Sequence, residues 1–263
     1  MFILENMFGE RQYEIKPGSF PDGSLHLTLP KDSSICTVAW YYENDAELFM
    51  LQCIRDHYSQ PLILEMPYIP HARMDRVKSA EEVFTLKTFC KLINAMNFIQ
   101  VIVRDPHSNV SAALLDRVVL EPVRPYIQHA INMIQSDNLV AFFPDEGAMK
   151  RYSSLLDIPY AFGVKNRDWQ TGKILSLMLM NGEVVKDKDV LIIDDICSYG
   201  GTFYHAALAL KEAGARNIYL YVTHCENNIF SGDMYQMEEI CRIYTPDPRV
   251  NHELDSLSKL YEV

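Results

Sequence analysis

The sequence predicts an α/β protein with two doubly wound parallel-sheet domains. Short, nearly continuous apolar segments alternate along the chain with amphipathic segments of helical period. Strands that are apolar on both faces are typical of parallel sheets covered by helices on both sides. Pro122 and Pro125 interrupt this alternation near the middle. We therefore expect an N-terminal α/β domain at 1–122 and a C-terminal α/β domain at 123–263.

The N-terminal half contains two strand segments with a helix between them. PLILEMPY at 61–68 and FIQVIVRD at 98–105 have the character of short buried strands. Ser79 and Glu82 have the spacing of a capping box, which predicts a helix that begins at Ser79. The apolar residues after it have the three-to-four spacing of a core-facing stripe: Val83, Leu86, Phe89, Cys90, Ile93 and Met96.

The C-terminal half repeats this alternation. LVAFFPD at 139–145, DVLIIDD at 189–195 and NIYLYVTH at 217–224 predict three buried strands. A helix is expected over about 202–213, and Gly214 is placed to end it. In open parallel sheets, ligands bind beyond the carboxyl ends of the strands. Polar residues that directly follow a strand are therefore the candidates for a functional site.

The composition is that of a globular chain with an acidic excess. Lys and Arg number 24 against 35 Asp and Glu, for a net charge of −11. This balance disfavours binding to nucleic acid or to an anionic membrane surface. The longest apolar runs are far shorter than the ~20 residues that cross a bilayer, and the first residues lack the features of a signal peptide. Six scattered cysteines without a CxxC pair then predict reduced thiols and a cytoplasmic location.

Residues 190–215 contain the most informative pattern. An apolar strand ends in Asp194 and Asp195, and a loop containing Gly200 and Gly201 then opens into a helix at Thr202. Adjacent carboxylates accept hydrogen bonds from a vicinal diol or help to hold a cation, and N–H groups at a glycine-rich helix start suit a phosphate. An Asx turn before a helix is the structural alternative for the acidic pair alone. The whole pattern favours a ribose phosphate as ligand.

This segment resembles the phosphoribosyl diphosphate (PRPP) motif shared by type I phosphoribosyltransferases and ribose-phosphate diphosphokinases. Five further segments occur in the order found in the diphosphokinases: FPDG at 20–23, PYIPHARMDR at 67–76, VIVRDPHS at 101–108, FPDEGAMKR at 143–151 and GVKNRD at 163–168. The resemblance implies two domains of the type I phosphoribosyltransferase fold. It also implies transfer of a diphosphoryl group from ATP to a ribose phosphate, with Mg²⁺ as cofactor.

The resemblance implies an ATP site in the N-terminal half. Phe20 and Asp22 resemble the residues that recognise adenine by stacking and by accepting its amino proton. Arg73, Asp75 and Arg76 resemble the segment that contacts ATP, and the planar donor fork of Arg suits phosphate. A structural ion pair is the alternative for this segment. In the family the adenine loop reaches the active site of a neighbouring subunit, which implies a homo-oligomer.

The catalytic residues implied by the resemblance are Lys165, Arg167 and His107. Diphosphoryl transfer creates a crowded polyanion, so that catalysis consists mainly of positioning and charge neutralisation. Lys165 and Arg167 alternate on a loop that we expect to be extended, which would put both on one side. Two solvated surface charges are the alternative. His107, Asp105 and Asp145 are the candidate partners of magnesium, directly or through water.

The ribose-phosphate site is expected in the C-terminal half, where the resemblance assigns it nine residues. They are Asp194, Asp195, Ser198, Tyr199, Gly200, Gly201, Thr202, Asp145 and Gly147. The family usually has Asp-Thr-Ala-Gly-Thr at 198–202, a glycine at Ala148, a glutamate at Ser24 and a glutamine at Met74. The changed phosphate loop bears on the acceptor sugar more than on the reaction.

Ribose 5-phosphate is the expected acceptor, and ADP-ribose is the alternative. An esterified phosphate carries less charge and continues into further atoms, for which the two adjacent glycines and the Tyr199 ring would leave room and an aromatic face. The product would then be ADP-ribose 1-diphosphate, a donor for NAD resynthesis.

Two other classes of protein also share part of the pattern. A PRPP-consuming phosphoribosyltransferase does not account for the upstream α/β half with its 67–76 and 101–108 segments. A non-catalytic synthetase-like partner subunit would be expected to lack Lys165 and Arg167, which this chain has.

Overall fold

The computed structural model of the protein describes residues 1–7, 9, 12–167 and 174–263, and at 165–167 and 174–176 it describes the backbone alone. The chain divides into two compact units, Met1–Pro122 and Val123–Val263. Each unit has a mainly parallel sheet with helices in the connections. The predicted α/β class is therefore confirmed.

The first unit contains one large sheet and a separate small hairpin. Its elements are β1 (Phe2–Asn6), β2 (Gln12–Ile15), β3 (Gly18–Ser19), β4 (Leu25–His26), β5 (Ile35–Trp40), α1 (Glu47–His57), β6 (Ile63–Glu65), α2 (Thr85–Ala95), β7 (Gln100–Arg104), α3 (Asn109–Leu114) and β8 (Val118–Glu121). The sheet order is β2-β1-β5-β6-β7-β8, and the strands from β5 to β8 are parallel. Strands β3 and β4 form the hairpin.

The second unit contains a seven-stranded sheet in the order β11-β10-β9-β12-β13-β14-β15. Its strands are β9 (Leu139–Phe143), β10 (Tyr160–Arg167), β11 (Ile174–Met180), β12 (Asp189–Cys197), β13 (Ile218–Cys225), β14 (Ile240–Thr245) and β15 (Leu260–Glu262). Its α-helices are α4 (Arg124–Ile134), α5 (Glu146–Tyr152), α6 (Gly201–Glu212) and α7 (Asp233–Gln236). Short 3-10 helices cover Ser153–Leu155, Gly182–Val185, Asn227–Ser231 and His252–Leu254. All neighbouring strands are parallel except the edge pair β10 and β11.

Strand β12 shows why the buried strands are apolar without interruption. Val190 and Ile192 lie in one hydrophobic cluster, and Leu191 and Ile193 lie in another. Successive side chains of a strand point to opposite faces of the sheet. Both faces of this sheet are therefore covered at residues 190–193, which are all buried.

The predicted start of the helix at Ser79 is wrong. Helix α2 begins at Thr85, and Val83 is 67% exposed. A capping box needs the Glu82 carboxylate to bind the backbone N–H of Ser79, but Glu82 Oε2 accepts from the N–H of Lys78 at 2.6 Å. The carboxylate thus stabilises a turn before the helix. The later positions of the stripe are buried as predicted: Leu86, Phe89, Cys90, Ile93 and Met96.

The predicted strand at 61–68 is shorter than expected. Strand β6 covers only Ile63–Glu65. Pro67 has no N–H group to donate to a neighbouring strand, although its carbonyl still accepts from Arg104 N at 3.0 Å. None of the helices in the described part of the chain has the length and apolar character needed to cross a membrane.

Candidate functional site

Two segments of the first unit meet where neighbouring parallel strands end. Strands β6 and β7 pair with Leu64 opposite Val101, so that residues 67–76 and 105–108 both follow the carboxyl edge of the sheet. Buried Asp75 accepts hydrogen bonds from Arg76 Nε at 2.8 Å and Nη2 at 3.1 Å. These bonds are the main cause of the lowered pKa of Asp75, and Ser108 and His107 lower it further against the effect of burial.

Asp75 and Arg76 form an ion pair, which is the structural alternative to a role of this segment in ATP binding. The pair does not remove Arg76 from solvent, because the side chain of Arg76 is 74% exposed. The planar guanidinium can therefore contact Asp75 with one edge and an anionic ligand with another. Asp105 is buried and has a φ of 41°, a left-handed conformation that Asp tolerates better than most residues.

The segment at 20–23 forms the tip of the hairpin of β3 and β4. The N–H of Gly23 donates to the carbonyl of Phe20 at 2.9 Å, and Gly23 has a φ of 82°, which favours glycine. Asp22 Oδ1 accepts from Ser24 Oγ at 2.7 Å and Ser24 N at 2.9 Å, and these bonds lower the pKa of Asp22. Phe20 is 52% exposed. The hairpin thus presents an aromatic ring and an ionised carboxylate at its tip.

In the second unit, the acidic pair lies at the carboxyl end of β12. The N–H of Asp195 donates to Asp194 Oδ1 at 3.0 Å. Arg151 Nη1, on α5, lies 3.4 Å from Asp195 Oδ2. Strands β12 and β9 are neighbours, with Ile192 opposite Phe142, so that Asp194, in the second half of β12, lies near the same sheet edge as Asp145, which follows β9.

Asp145 has a defined structural task as the N-cap of α5. Its Oδ1 accepts from the N–H of Ala148 at 3.0 Å. A methyl group on Gly147 would lie 3.2 Å from that same oxygen, closer than ordinary contact. The small residue at 147 therefore leaves room for the capping carboxylate.

The segment 198–202, which we call the phosphate loop, joins β12 to α6. Gly200 has a φ of 78° and precedes the first residue of α6, and its carbonyl accepts from Tyr204 N at 2.9 Å. A methyl group on Gly201 would meet no atom within 4 Å, so that this side of the loop is open. Tyr199 is 59% exposed. The first N–H groups of a helix, opened towards solvent by glycine, can bind a phosphate.

Lys165 and Arg167 lie in β10, and their side chains are outside the described residues. The backbone of Lys165 is opposite Leu177, and the register shifts between Asn166 and Arg167. A shift of this kind alters the strict alternation of side chains along a strand. Their predicted placement on one side therefore stays a prediction.

The three residues named for magnesium are divided between the units. Asp105 and His107 belong to the first, and Asp145 belongs to the second. Among the described residues, no three His, Cys, Asp or Glu side chains are grouped so that they could hold a metal ion.

Two features of the site were not assigned from the sequence. Arg151 is the last residue of the segment 143–151. Its positive charge is the signal that could have identified Arg151 as a partner of the acidic pair. The segment 226–234 contacts the phosphate loop, as described below. No local pattern in the sequence indicates that contact.

This chain is similar to proteins of known families. Residues 148–233 match the family model of the phosphoribosyl transferase domain. The ribose-phosphate pyrophosphokinase of Saccharolobus solfataricus is 30% identical over 218 residues, which cover 78% of this chain and 74% of the relative. The ribose-phosphate pyrophosphokinase of Thermococcus kodakarensis is 28% identical over 227 residues, which cover 82% of this chain and 79% of the relative.

The fold has a counterpart among solved structures. The crystal structure of phosphoribosylpyrophosphate synthetase from Mycobacterium smegmatis matches 95% of this chain and 85% of its own, with a TM-score of 0.76 and 20% identity. This likeness concerns the fold, and the family follows from the sequence identity to the relative from Saccharolobus solfataricus. The predicted resemblance is confirmed, and the chain belongs to the ribose-phosphate pyrophosphokinase family.

Proposed function

We propose that the protein transfers the diphosphoryl group of ATP to the 1-hydroxyl group of ribose 5-phosphate, which yields PRPP and AMP. The observation that carries the proposal is the edge formed by Asp194, Asp195 and the phosphate loop. Carboxylates suited to a sugar diol lie in the second half of one strand, and helix N–H groups suited to the phosphate of the sugar follow that strand. The names of the relatives support the same reaction.

In this reaction the sugar oxygen O1 bonds to the β-phosphorus of ATP. The bond between that phosphorus and the oxygen it shares with the α-phosphate breaks, so that AMP leaves and the hydroxyl proton is released. Little covalent chemistry is required of the protein. Its contribution is to hold the two substrates in line and to neutralise the charge on the transferred group.

The residues of the first unit supply the groups that ATP requires. Phe20 provides a ring face for adenine, and the carboxylate of Asp22, whose pKa is lowered by the hydrogen bonds from Ser24, provides an acceptor for the amino group of adenine. Arg73 and Arg76 are exposed cations for the phosphates. Each assignment follows the chemistry of the side chain.

Mg²⁺ fits the carboxylates of this chain. It is usually held by one or two carboxylates together with the phosphates of the substrate. In the first unit Asp105 would supply such an oxygen atom, and the His107 imidazole would contact the ion directly or through water; in the second unit Asp145 is a separate candidate. When bound, the ion supplies positive charge next to the phosphates.

Ribose 5-phosphate is preferred over ADP-ribose because the similar proteins are named for ribose phosphate. The exposed ring of Tyr199 does not by itself favour the longer acceptor. Comparison of kcat/KM for the two acceptors decides between them. ADP-ribose would replace ribose 5-phosphate in the proposal if its kcat/KM were higher.

The test is an assay of AMP formation from Mg-ATP with ribose 5-phosphate. A diphosphokinase forms AMP and PRPP together in a 1:1 ratio, whereas a phosphoribosyltransferase or a silent subunit forms no AMP.

Lys165→Ala should lower kcat on the order of 10²-fold, because a preorganised cation would be lost from the charged transition state. Near-normal turnover in this variant would contradict the catalytic role of Lys165. The absence of AMP formation in wild-type protein would contradict the proposed function.

A homo-oligomer is also proposed, in which Phe20 and Asp22 complete the ATP site of a neighbouring subunit. Asp22→Ala should then raise the KM for ATP, and an equimolar mixture of Asp22→Ala and Lys165→Ala proteins should be more active than either variant alone because hybrid sites form. A fully active monomer in light scattering would contradict this arrangement.

A further inference from the structure

One segment contacts the first three residues of the phosphate loop and also Cys197, the residue before the loop. This support segment comprises residues 226–234, which include the 3-10 helix Asn227–Ser231 and the start of α7. The first two contacts are hydrogen bonds. The N–H of Glu226 donates to the carbonyl of Cys197 at 2.8 Å, and Asn228 Nδ2 donates to Ser198 Oγ at 3.4 Å.

The next two contacts are close packing. A methyl group on Gly232 would lie 1.9 Å from the carbonyl oxygen of Tyr199, and a methyl group on Gly200 would lie 2.6 Å from Met234 Cε. Residues 197, 198, 199 and 200 thus contact residues 226, 228, 232 and 234 of the support segment, respectively.

Position 232 requires a glycine because there is no room for a side chain, and not because of its backbone conformation. Its φ and ψ are −91° and 146°, values that any residue adopts. The atom that a methyl group would strike belongs to the backbone of Tyr199, so that no side-chain rotation can relieve the clash. Any larger residue at 232 must displace the phosphate loop or the support segment.

The opposite side of the loop is open. Gly201 faces empty space, and Tyr199 is largely exposed, whereas Met234 is buried in the hydrophobic cluster of this unit. A loop held on one side and open on the other keeps its N–H groups aimed at a ligand without reorganisation when the ligand binds.

We propose that Gly232 and Asn228 are positioning residues, which hold the phosphate loop in the conformation that binds the 5-phosphate of the acceptor. This inference rests on the proposed function for the identity of the ligand. It predicts that disturbance of the support segment weakens acceptor binding selectively. ATP is assigned to the first unit and should be unaffected.

Asn228→Ala tests the hydrogen bond to the loop, and Asn227→Ala is the matched control. The two asparagines are neighbours in one 3-10 helix, but Asn227 contacts Arg249 O and Asn251 N and not the phosphate loop. Asn228→Ala should raise the KM for ribose 5-phosphate about 5-fold, with the KM for ATP unchanged. Asn227→Ala should change neither. Equal effects of the two substitutions would overturn the proposal.

Gly232→Ala tests the close packing and should have the larger effect. We expect the KM for ribose 5-phosphate to rise at least about 10-fold, with a KM for ATP within about 2-fold of wild type. A wild-type KM for ribose 5-phosphate in Gly232→Ala would overturn the proposal. If this variant fails to fold, the Asn228 and Asn227 pair decides the question.

Hydrogen exchange of the amides at 198–202 separates this inference from the proposed function. Asn228→Ala should speed exchange of these amides in the ligand-free protein, and Asn227→Ala should not. If wild-type protein forms no AMP, the proposed function fails, and the exchange experiment still decides whether the support segment holds the loop. Unchanged exchange in Asn228→Ala would show that it does not.

Discussion

Strand β12 has an acidic residue at its first position and two at its carboxyl end, and their surroundings differ. Buried Asp189 accepts from Arg216 Nε at 2.8 Å, from Arg216 Nη2 at 2.5 Å and from Asn217 Nδ2 at 2.9 Å. The Arg216 guanidinium holds the pKa of this carboxyl well below its usual range. At the other end, Arg151 approaches Asp195 only to 3.4 Å.

The difference separates a carboxylate that stabilises the fold from carboxylates that suit a ligand. The planar fork of Arg216 occupies both oxygens of Asp189 and connects the start of β12 to the residues before β13. The carboxyl ends of parallel strands are where ligands bind, and near that end the contact of Arg151 to Asp195 is longer than either contact of Arg216 to Asp189. The same residue type on the same strand thus has two kinds of surroundings, and we expect two roles.

Asp189→Ala is expected to have the largest effect, which is a loss of stability. Its removal leaves Arg216 and Asn217 without their acceptor, which should lower the free energy of unfolding by about 3 kcal/mol. Because the side chain of Arg216 is 55% exposed, it recovers part of its hydration, and a greater loss is not expected. Urea denaturation measures the change. The exposed Asp137→Ala is the control, with an expected change of less than about 0.5 kcal/mol.

Asp195→Asn, in contrast to Asp189→Ala, should lower activity and leave stability almost unchanged. The substitution keeps the shape of the side chain but removes its charge from the acceptor site. We expect kcat/KM for ribose 5-phosphate to fall on the order of 10²-fold, equivalent to about 2.7 kcal/mol of transition-state stabilisation. Stability in urea should stay within about 1 kcal/mol of wild type. A variant that loses stability but keeps its kcat/KM would show that both ends of β12 are structural.

The pH dependence of stability sharpens the comparison further. The pKa of Asp189 is lower in the folded than in the unfolded protein. The carboxylate therefore contributes to the free energy of unfolding at pH values above the unfolded pKa, and this contribution is lost as the pH falls through the folded pKa. Asp189→Asn should therefore be less stable than wild type by about 2 kcal/mol at neutral pH. This difference should narrow as the pH falls below about 4, near the ordinary pKa of Asp. A difference independent of pH would mean that packing, and not charge, explains the effect.

Arg151→Gln should give the smallest effect. Its contact to Asp195 is long, and its loss should lower kcat/KM for ribose 5-phosphate about 10-fold or less, equivalent to about 1.4 kcal/mol. Steady-state kinetics with saturating ATP measure the change. Lys150→Gln is the matched control, because Lys150 pairs with Glu146 on the surface of the same helix. A fall as large as that in Asp195→Asn would indicate that Arg151 contacts the substrate directly.

The sequence was sufficient to predict the α/β class, the family resemblance and the order of the chemistry-bearing segments. Residues 190–193 of β12 are all apolar because both faces of the strand are buried there, and that pattern can be read without a structure. The site role of the acidic pair was predicted from the whole pattern of strand, acidic pair and glycine-rich loop, and it stays a prediction. The start of α2 could not be predicted in this way. Glu82 has a choice of nearby N–H donors, and only the folded turn shows that it binds Lys78.

The tertiary structure alone decided which residues hold the phosphate loop. Gly232 is about thirty positions from Tyr199 along the chain, and its φ and ψ are ordinary, so that nothing local requires a glycine there. The requirement arises because β12 and β13 pair with Cys197 opposite Cys225, which brings the segments after both strands against each other. Local periodicity determines which residues form the strands, whereas close packing between segments distant in sequence exists only after the strands have paired.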